Sequence, residues 1–519
     1  MPDLVDALAA QTRLPGAGSA QRSPTPRITG TGALPSAFRV TELAAASIAT
    51  AGVALAEVAG LDGEVAVDRR LASAWFATSL RPDGWLVPAP WDPVAGDYRT
   101  RDGWIRLHTN APHHRAAAER VLGAQPDRAG MARAVAGWAK AELEAAILAE
   151  GGCAAEMRGL EEWASHPQGR AVSAEPLVAF APGSDRSASR WRPRTERPLA
   201  GLRVLDLTRV LAGPVATRFL AGFGADVLRI DSPDWDEPAL VPEMTLGKTC
   251  SRLDLRRAAD RATFEALLAG ADVLVHGYRP GALDGLGYDA SARRALAPGL
   301  IDVSLDAYGW TGPWAGRRGF DSLVQMSCGL AQAGQAWRQA EGPVPLPVQA
   351  LDHATGYLMA ASVLRLLARR LSDGTGGQAR LSLARTAAFL IAAGPAGPEP
   401  ALAPETPEDR APEVEPTSWG PARRLRPPLT LAGAALRWDR AARNLGDDAP
   451  AWAPDPGAAC GRQRVRDGPG SGRWRGPACC PAAPGSGPWR AVLRSRFPNP
   501  AFASRLPRRD PRRTGRHWE

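Results

Sequence analysis

The chain has 519 residues, of which 23% are charged, and a formal net charge of +9. That length exceeds what one hydrophobic core usually organises, so we expect two or three domains. The positive charge does not indicate a nucleic-acid partner, because 14 arginines are concentrated in residues 457–519, which contain only three acidic residues. The remaining chain is close to neutral.

Neither secretion nor a membrane is indicated. The six cysteines show no disulfide-framework spacing and no metal-ligand spacing, and no signal peptide precedes them. Apolar runs such as residues 387–393 are far shorter than the roughly 20 residues that a membrane span requires. We therefore predict a cytoplasmic protein with no membrane partner and no metal site.

The first part of the chain predicts a flexible leader followed by a partial domain. Residues 1–36 are rich in Pro, Gly, Ser and Thr and lack a sustained period, which is typical of a flexible segment. Residues 37–183 predict a small α+β domain. Its predicted elements are a helix at 41–59, a strand at 64–67, a hairpin at 98–107 turning at Asp102-Gly103, and helices at 113–123 and 129–150.

The stretch from 201 to 394 carries the clearest pattern. It begins with the buried-strand run GLRVLDLTRV, turns through Ala212-Gly213-Pro214, continues as a helix at 216–221 and reaches a second strand at 225–231. Two strands joined by one helix are the unit of a parallel α/β sheet. Ligands of such sheets bind at the carboxyl ends of the strands, so the loops at 209–214 and after Asp231 are candidate sites.

Composition changes on both sides of that stretch. Residues 184–198 predict a polar linker, and residues 395–453 predict a second linker with a domain end. From 454 to 519 the chain is rich in Arg, Pro, Gly, Trp and Cys and has no periodicity. Such a composition cannot bury a core, so a disordered tail is predicted there.

Four blocks within residues 199–394 carry a family pattern. They read VLDLTRVLAGP with LAGFGADVLRID, GADVLVHGYRPGALDGLGYD, SLDAYGWTGPWAGRRGFDSLVQMSCGL, and LDHATGYLMAASVLRLLARRLSDGTGGQARLSL. In order and spacing they resemble the family III CoA-transferases. The resemblance implies an α/β fold in which a Rossmann-like parallel sheet domain, here residues 199–394, binds CoA beside a small α+β domain.

A weaker resemblance to the later part of the same family covers residues 40–168. The order helix, strand, helix at 41–76 is repeated at 352–389, which sets Glu42 opposite Asp352 and indicates a partial internal duplication. The chain then carries the end of one copy followed by the start of another. The two halves are expected to complement each other, as the domains do in the interlocked homodimers of the family.

Asp352 is the candidate catalytic residue. It precedes a long apolar run at 353–370 that predicts a buried helix, and Asp is a preferred N-cap residue, so capping alone is one explanation of it. The resemblance implies another, because the catalytic Asp of the family stands at this point. Its carboxylate would attack an acyl-CoA thioester and form an acyl-aspartyl anhydride.

The resemblance also implies a set of CoA contacts. No cofactor is expected to be bound permanently; CoA enters as the acyl-CoA substrate, and a carboxylic acid is the other substrate. Lys248 is one of two lysines in an Arg-rich chain, and either meets a phosphate as a point charge or is a solvated loop residue. The implied contacts are Arg209, Val210, Leu211, Ala212, Lys248, Gly277, Tyr278, Arg279, Tyr308 and Gly309.

Three other functions are open to this sequence. Proton exchange at an acyl α-carbon, as in related racemases, is disfavoured, because it requires an acid and a base and Phe320 stands where those enzymes carry a histidine. His276 and His353 are the remaining histidines expected nearby. A rearranged, inactive relative of the family would explain the incomplete copies. A dinucleotide enzyme is disfavoured, because residues 223–226 lack the G-x-G-x-x-G turn.

Overall fold

The computed structural model describes residues 3–15, 24–187, 191–234 and 236–453. All of them belong to one unit, Met1–Ala458. The predicted disordered tail, residues 454–519, lies outside the described residues.

The N-terminal segment packs onto the core, so the prediction of a flexible leader is wrong for its described parts. The buried side chains of Leu4 and Leu8 face the core, because their spacing of four places them on one side of a helix. The first strand pairs in parallel with the second. The elements here are α1 (Leu4–Gln11), β1 (Arg27–Thr29), α2 (Val40–Ala59), β2 (Val65–Asp68), α3 (Arg69–Trp75) and β3 (Leu80–Pro82).

A small α+β layer follows. Its first two strands form the predicted hairpin, but the helix predicted at 129–150 is two helices, because Asp102 in the hairpin turn accepts the Lys140 N–H at 2.8 Å and starts a new one. The elements are β4 (Gly96–Arg99), β5 (Trp104–Leu107), α4 (Pro112–Leu122), α5 (Arg128–Ala136), α6 (Lys140–Ala149), β6 (Ala154–Glu156), α7 (Leu160–Ser165) and α8 (Pro167–Ala174).

A seven-stranded sheet forms the centre of the protein. Its strands are β7 (Ala179–Arg186), β8 (Arg203–Leu207), β9 (Asp226–Asp231), β10 (Thr249–Arg252), β11 (Val273–His276), β12 (Ile301–Asp306) and β13 (Thr375–Ser382). The strand order is β10-β9-β8-β11-β12-β13-β7, and β7 alone of these strands runs antiparallel. The predicted linker at 184–198 therefore begins inside an edge strand. The predicted α/β fold with a parallel sheet is confirmed.

Helices cover both faces of this sheet. Val204 and Val227 face a core that includes the helix containing Asp352, whereas their neighbours Leu205 and Leu228 face the opposite layer. This alternation follows from the two-residue period of a strand. The helices are α9 (Ala212–Gly222), α10 (Val241–Met244), α11 (Ala258–Ala269), α12 (Ala290–Leu296), α13 (Asp321–Ser327), α14 (Leu330–Arg338), α15 (Ala350–Asp373) and α16 (Leu383–Ala392).

Helix α15 packs against both α2 and α9, so the two helices that the predicted repeat sets opposite each other are neighbours. Among the described helices, α2 is the one long and apolar enough to cross a membrane by length and composition, and 83% of its most apolar window is buried inside the protein. Glu42 and Glu57 lie within this helix, so it contains no uninterrupted apolar run of about 20 residues.

The C-terminal residues complete sheets that begin near the N-terminus. Strand β15 pairs antiparallel with β3, and β16 pairs antiparallel with β2. Residues 395–453 are therefore more than a linker, since they join the two ends of the described chain. The remaining elements are β14 (Glu415–Thr417), β15 (Gly420–Arg424), β16 (Leu429–Leu431) and two short 3-10 helices, Asp284–Leu286 and Pro407–Asp409.

Candidate active site

A cavity of about 350 Å³ opens at the carboxyl ends of β8 and β11. The connections from these neighbouring strands run to opposite sides of the sheet, so the cavity lies at the topological switch point, where open α/β sheets bind ligands. Its lining includes Arg209, Val210, Ala212, Gly277, Tyr278, Arg279, Asp306, Arg317, Arg318, Phe320 and Asp352, together with His113 and His114 from the small α+β layer.

Asp352 lies in the first turn of α15 and is not its N-cap. The helix begins at Ala350, and its N-cap residue, Gln349, makes no side-chain capping bond. The capping role belongs to Asp321 on α13, whose Oδ2 accepts the Asp352 N–H at 2.9 Å. The predicted capping role of Asp352 is therefore wrong. Its side chain is left to face the cavity.

The acidic side chains around this point disfavour further negative charge. Burial raises the pKa of Asp352 well above its ordinary range, and the carboxylates of Asp321 and Glu237 raise it further. Burial also raises the pKa of Asp321, although hydrogen bonds from the Asp352 amide and Gln325 favour its anion. In the described residues, no hydrogen bond engages the Asp352 carboxyl. This group can therefore meet a ligand directly.

Gly356 brings Asp352 close to the loop after β8. A Cβ atom at position 356 would lie 2.4 Å from the carbonyl oxygen of Ala212 and 2.8 Å from Cβ of Val215. Such distances are far inside van der Waals contact, so only glycine lets α15 approach the start of α9 this closely. The same approach sets Asp352 beside the 209–212 loop.

The small layer makes direct hydrogen bonds to the loop after β12, which lies behind the cavity wall. Gln168 donates to the carbonyls of Tyr308 at 2.9 Å and Thr311 at 2.8 Å. Glu175 accepts the backbone N–H groups of Trp310 and Thr311, both at 2.8 Å. The N-terminal half of the chain is thus part of the candidate site.

Two arginines of the cavity wall also bind the small layer. Arg317 donates to Glu144 at 2.9 Å and to the carbonyl of Ala154 at 3.1 Å. Arg318 donates to the carbonyl of Gly151 at 3.0 Å. Both side chains still line the cavity, so they present positive charge to a ligand while they hold the two halves together.

Lys248 does not reach the cavity. Its side chain is fully buried, and its Nζ lies 2.9 Å from Asp206 Oδ2, 2.6 Å from Thr217 Oγ1 and 3.1 Å from the Pro214 carbonyl. Burial lowers the pKa of Lys248 to about 8, although Asp206 opposes the shift. Neither the phosphate contact nor the solvated loop residue predicted for Lys248 fits this position, because an internal ion pair occupies its charge.

Three other predicted contacts lie outside the lining. Tyr308 is fully buried, with its hydroxyl 3.1 Å from Ser327 Oγ. Gly309 has a φ of 105° and donates to Asp306 Oδ1 at 2.6 Å, so it shapes the turn behind the wall. Leu211 is the buried N-cap of α9. By contrast, Arg209, Val210, Ala212, Gly277, Tyr278 and Arg279 do line the cavity.

Residues 199–467 match the model of CoA-transferase family III, which covers about half of the chain. The chain belongs to CoA-transferase family III. The predicted resemblance is confirmed over the region that contains Asp352 and all of the cavity lining except His113 and His114.

Curated relatives of this family III chain carry transferase names. It is 38% identical over 204 residues to an acetyl-coenzyme A transferase of Hypoxylon pulicicidum, covering 37% of this chain and 34% of that protein. It is 30% identical to an acyl-CoA transferase of Gibberella moniliformis, covering 56% and 50%. It is 33% identical to a succinyl-CoA:glutarate CoA-transferase of Mus musculus, covering 38% and 50%. The chain spans about half or less of the length of these relatives.

The family III chain carries histidines at the cavity that sequence analysis missed. His113 and His114 line it, and His108 stacks on Phe320 with ring centroids 3.8 Å apart. Burial, together with the charge of His113, lowers the pKa of His114 to about 3, which keeps the ring neutral at ordinary pH. These residues are about 200 positions from Phe320 in the sequence. The only local feature that could have indicated them is the adjacent pair His113-His114 near the start of α4.

The described residues of this family III chain contain no group of three or more His, Cys, Asp or Glu side chains arranged as metal ligands. The three described cysteines, Cys153, Cys250 and Cys328, are buried and free. Burial raises the pKa of Cys153 to about 12, which disfavours the thiolate form that acts as nucleophile or metal ligand.

Asp306 in the cavity wall is expected to make the family III chain less stable as pH rises. Burial, with a contribution from nearby Glu175, raises the pKa of Asp306 to about 7. The folded state therefore holds this proton more tightly than the unfolded state, so its stabilising contribution is complete below about pH 4 and is lost through about pH 7. In Asp306→Asn the free energy of unfolding should decrease less as pH rises. The resulting difference from the parent chain should be at most about 4 kcal/mol at pH 8.

Denaturant unfolding at several pH values measures this difference, with Asp302→Asn as the matched control of opposite sign. Burial alone would raise the pKa of Asp302, but His276 and Arg293 hold it below its ordinary range. The control should therefore be less stable than the parent at neutral pH. Equal slopes with pH for Asp306→Asn and the parent chain would contradict the prediction.

Proposed function

We propose that this chain transfers CoA from an acyl-CoA to a carboxylic acid, with Asp352 as the covalent nucleophile. The observation that carries the proposal is the position of Asp352, whose carboxyl makes no hydrogen bond within the described residues and faces the switch-point cavity. Membership of CoA-transferase family III supports the same reaction class.

The proposed first step forms an anhydride. An oxygen of the Asp352 carboxylate bonds to the thioester carbonyl carbon, the carbon–sulfur bond breaks, and CoA leaves as the thiolate. The acceptor carboxylate then attacks the aspartyl carbonyl of the anhydride and displaces the donor carboxylate, which leaves. The thiolate attacks the acceptor's acyl carbon, which forms the new thioester and releases the Asp352 carboxylate. One transfer between two acids is thereby divided into steps that all pass through the Asp352 carboxyl.

The raised pKa of Asp352 fits a nucleophile that must be ionised to react. A carboxyl that loses its proton at higher pH is a stronger nucleophile once ionised, so burial and the neighbouring carboxyls increase reactivity at the cost of the ionised fraction. The transfer rate should therefore rise with pH through the pKa of Asp352.

We propose that the six predicted residues in the lining contact CoA. The arginines at positions 209 and 279 lie in the loops after β8 and β11, where their guanidinium groups could pair with phosphate oxygens. The small layer would exclude water from the anhydride, which otherwise hydrolyses. An interlocked homodimer and a cytoplasmic location stay predictions.

A second candidate is proton exchange at the α-carbon of an acyl-CoA. His113 and His114 line the cavity with Asp352, so an acid and a base are available even though the Phe320 side chain cannot donate or accept a proton. The low pKa of His114 makes it a weak base, which favours transfer over exchange. An inactive family member is the third candidate.

The full-length chain tests these candidates in one assay. We expect a new acyl-CoA when succinyl-CoA is incubated with glutarate, a probe pair taken from the name of the mouse relative. A parallel incubation in deuterium oxide measures exchange at the α-carbon. Deuterium uptake without transfer would favour proton exchange. Neither transfer nor uptake with a panel of acyl-CoA donors and acids would favour the inactive alternative.

A further inference from the structure

The backbone between β8 and α9 is strained at Val210. Its φ is 63°, in the left-handed region that glycine adopts freely. A branched Cβ collides there with neighbouring backbone, so valine in this conformation is a true outlier. Among the described non-glycine residues, only Glu196 and Gln339 also have a positive φ. Such a conformation persists only when the surroundings enforce it.

Glu237 supplies that enforcement. Its two carboxylate oxygens lie 3.2 and 2.9 Å from the Val210 backbone nitrogen and accept its N–H. The side chain is 8% exposed, and Oε2 lies 3.6 Å from the Arg229 guanidinium. Arg229 is itself fixed by two hydrogen bonds to Asp231, at 2.8 and 2.9 Å. Arg229 therefore fixes the Glu237 carboxylate on one side, and the carboxylate binds the Val210 backbone on the other.

The strained turn connects the site residues directly. β8 ends at Leu207 and α9 begins at Ala212, so four residues reverse the chain and bring it to the cavity. Val210 and Ala212 both line the cavity with Asp352. A relaxed backbone at Val210 would change the direction in which this loop enters α9. The part of the cavity wall beside Asp352 would then move as well.

We propose that Glu237 is a positioning residue that holds Val210 in its left-handed conformation and so keeps the 209–212 loop in place against Asp352. It does not line the cavity and acts on the wall through the loop, while its charge separately raises the pKa of Asp352. The effect on activity rests on the proposed function, whereas the effect on the loop does not.

A double-mutant cycle tests whether Glu237 acts by stabilising the strained backbone of Val210. In the full chain, Glu237→Ala should lower kcat/KM by about 5- to 150-fold, the range expected for a left-handed valine without support. In a Val210→Gly background, the same substitution should change kcat/KM by no more than about twofold, because glycine adopts this φ unaided. The comparison is made at pH values above the pKa of Asp352, where the charge of Glu237 no longer changes the ionised fraction of that carboxyl. A Gln339→Gly background is the matched control, since it places glycine at the positive φ of Gln339, whose side chain is absent from the cavity lining, and the full loss should persist there.

Glu237→Gln separates the hydrogen bond from the charge. Its amide oxygen can still accept the Val210 N–H, so this variant should retain more activity than Glu237→Ala. Thermal unfolding identifies any variant that has not folded, and the Gln variant then carries the comparison. Equal losses in the Val210→Gly and parent backgrounds would overturn the proposal.

Amide hydrogen exchange provides a test without turnover. The Val210 N–H should exchange faster in Glu237→Ala than in the parent chain, while amides of the α15 core should be unchanged. If the parent chain shows no CoA transfer, the proposed function fails but this measurement still decides the role of Glu237. Unchanged exchange at Val210 in the folded Ala variant would overturn the proposal.

Discussion

Replacement of Asp352 by asparagine is expected to abolish CoA transfer and to make the folded chain more stable at neutral pH. Loss of a covalent nucleophile typically lowers kcat by about three orders of magnitude or more. The amide cannot form the anhydride, yet it fills almost the same space in the first turn of α15. Transfer assays and thermal unfolding of the same preparation measure the two effects.

The stability gain follows from the direction of the pKa shift. The pKa of Asp352 is raised by burial and by Asp321 and Glu237, so ionisation is less favourable in the folded state than in the unfolded state. Stability from this group is complete below about pH 4 and decreases as pH rises through the folded pKa. Asparagine removes that loss, so the melting temperature should increase at pH 7 and the difference should vanish near pH 4.

Asp373→Asn is the matched control, because it changes a carboxyl at the other end of the same helix. Its pKa is lowered: burial opposes the shift, but hydrogen bonds from Thr375 favour the anion. The control should transfer CoA at the parental rate and gain no stability. Parental transfer by Asp352→Asn would contradict the role of Asp352.

Separating the two halves should also abolish activity. Residues 197–453 alone keep Asp352 and the cavity loops but lose α2, β7 and the small layer. They would expose the face of α15 that packs on α2, and they would lose the hydrogen bonds that Gln168 and Glu175 make to the loop after β12, behind the cavity wall. We expect no measurable transfer by this fragment.

The matched control is the full chain cleaved once within the linker at 184–198, which removes a covalent bond but no packing. The two pieces should remain associated during gel filtration and keep most of the activity, because β7 stays paired with β13 and α2 stays packed on α15. Transfer by residues 197–453 at the rate of the full chain would show that the N-terminal half is dispensable.

Sequence reasoning located the cavity because its main determinants are local. The strand–turn–helix pattern at 201–222 identifies the carboxyl end of β8, and the family pattern adds Gly277, Tyr278, Arg279 and Asp352. The path of a parallel sheet then brings these segments to one edge. The helix containing Asp352 was also predicted, although it begins at Ala350 and is capped from another helix.

Features that depend on distant partners could not be predicted in this way. Lys248 is one of only two lysines in the sequence, and only the fold shows that Asp206 and Thr217 surround its ammonium group. His113 and His114 belong to the small α+β layer, and only the packing of that layer brings them to the cavity. The strain at Val210 likewise depends on Glu237, 27 residues away, which no helix or strand period indicates.

Predictions of a leader and a linker from composition were wrong where a short apolar segment lies within polar sequence. The segment around Leu4 and Leu8 is only two turns long, so the surrounding Pro, Gly and Ser dominated the prediction of a leader. The edge strand β7 contains Pro182 and Gly183 and lacks a clear alternation. Its place in the sheet comes from pairing with β13, a contact that spans almost 200 residues.

Trapping of the covalent intermediate tests the central claim most directly. The full chain is incubated with succinyl-CoA, treated with hydroxylamine and digested, and the peptide containing Asp352 is analysed by mass spectrometry. Hydroxylamine attacks an activated carboxyl, so we predict a hydroxamate on Asp352 that requires the acyl-CoA and is absent in Asp352→Asn. Sustained CoA transfer with no modification of Asp352, or with a hydroxamate on another carboxyl, would contradict the account.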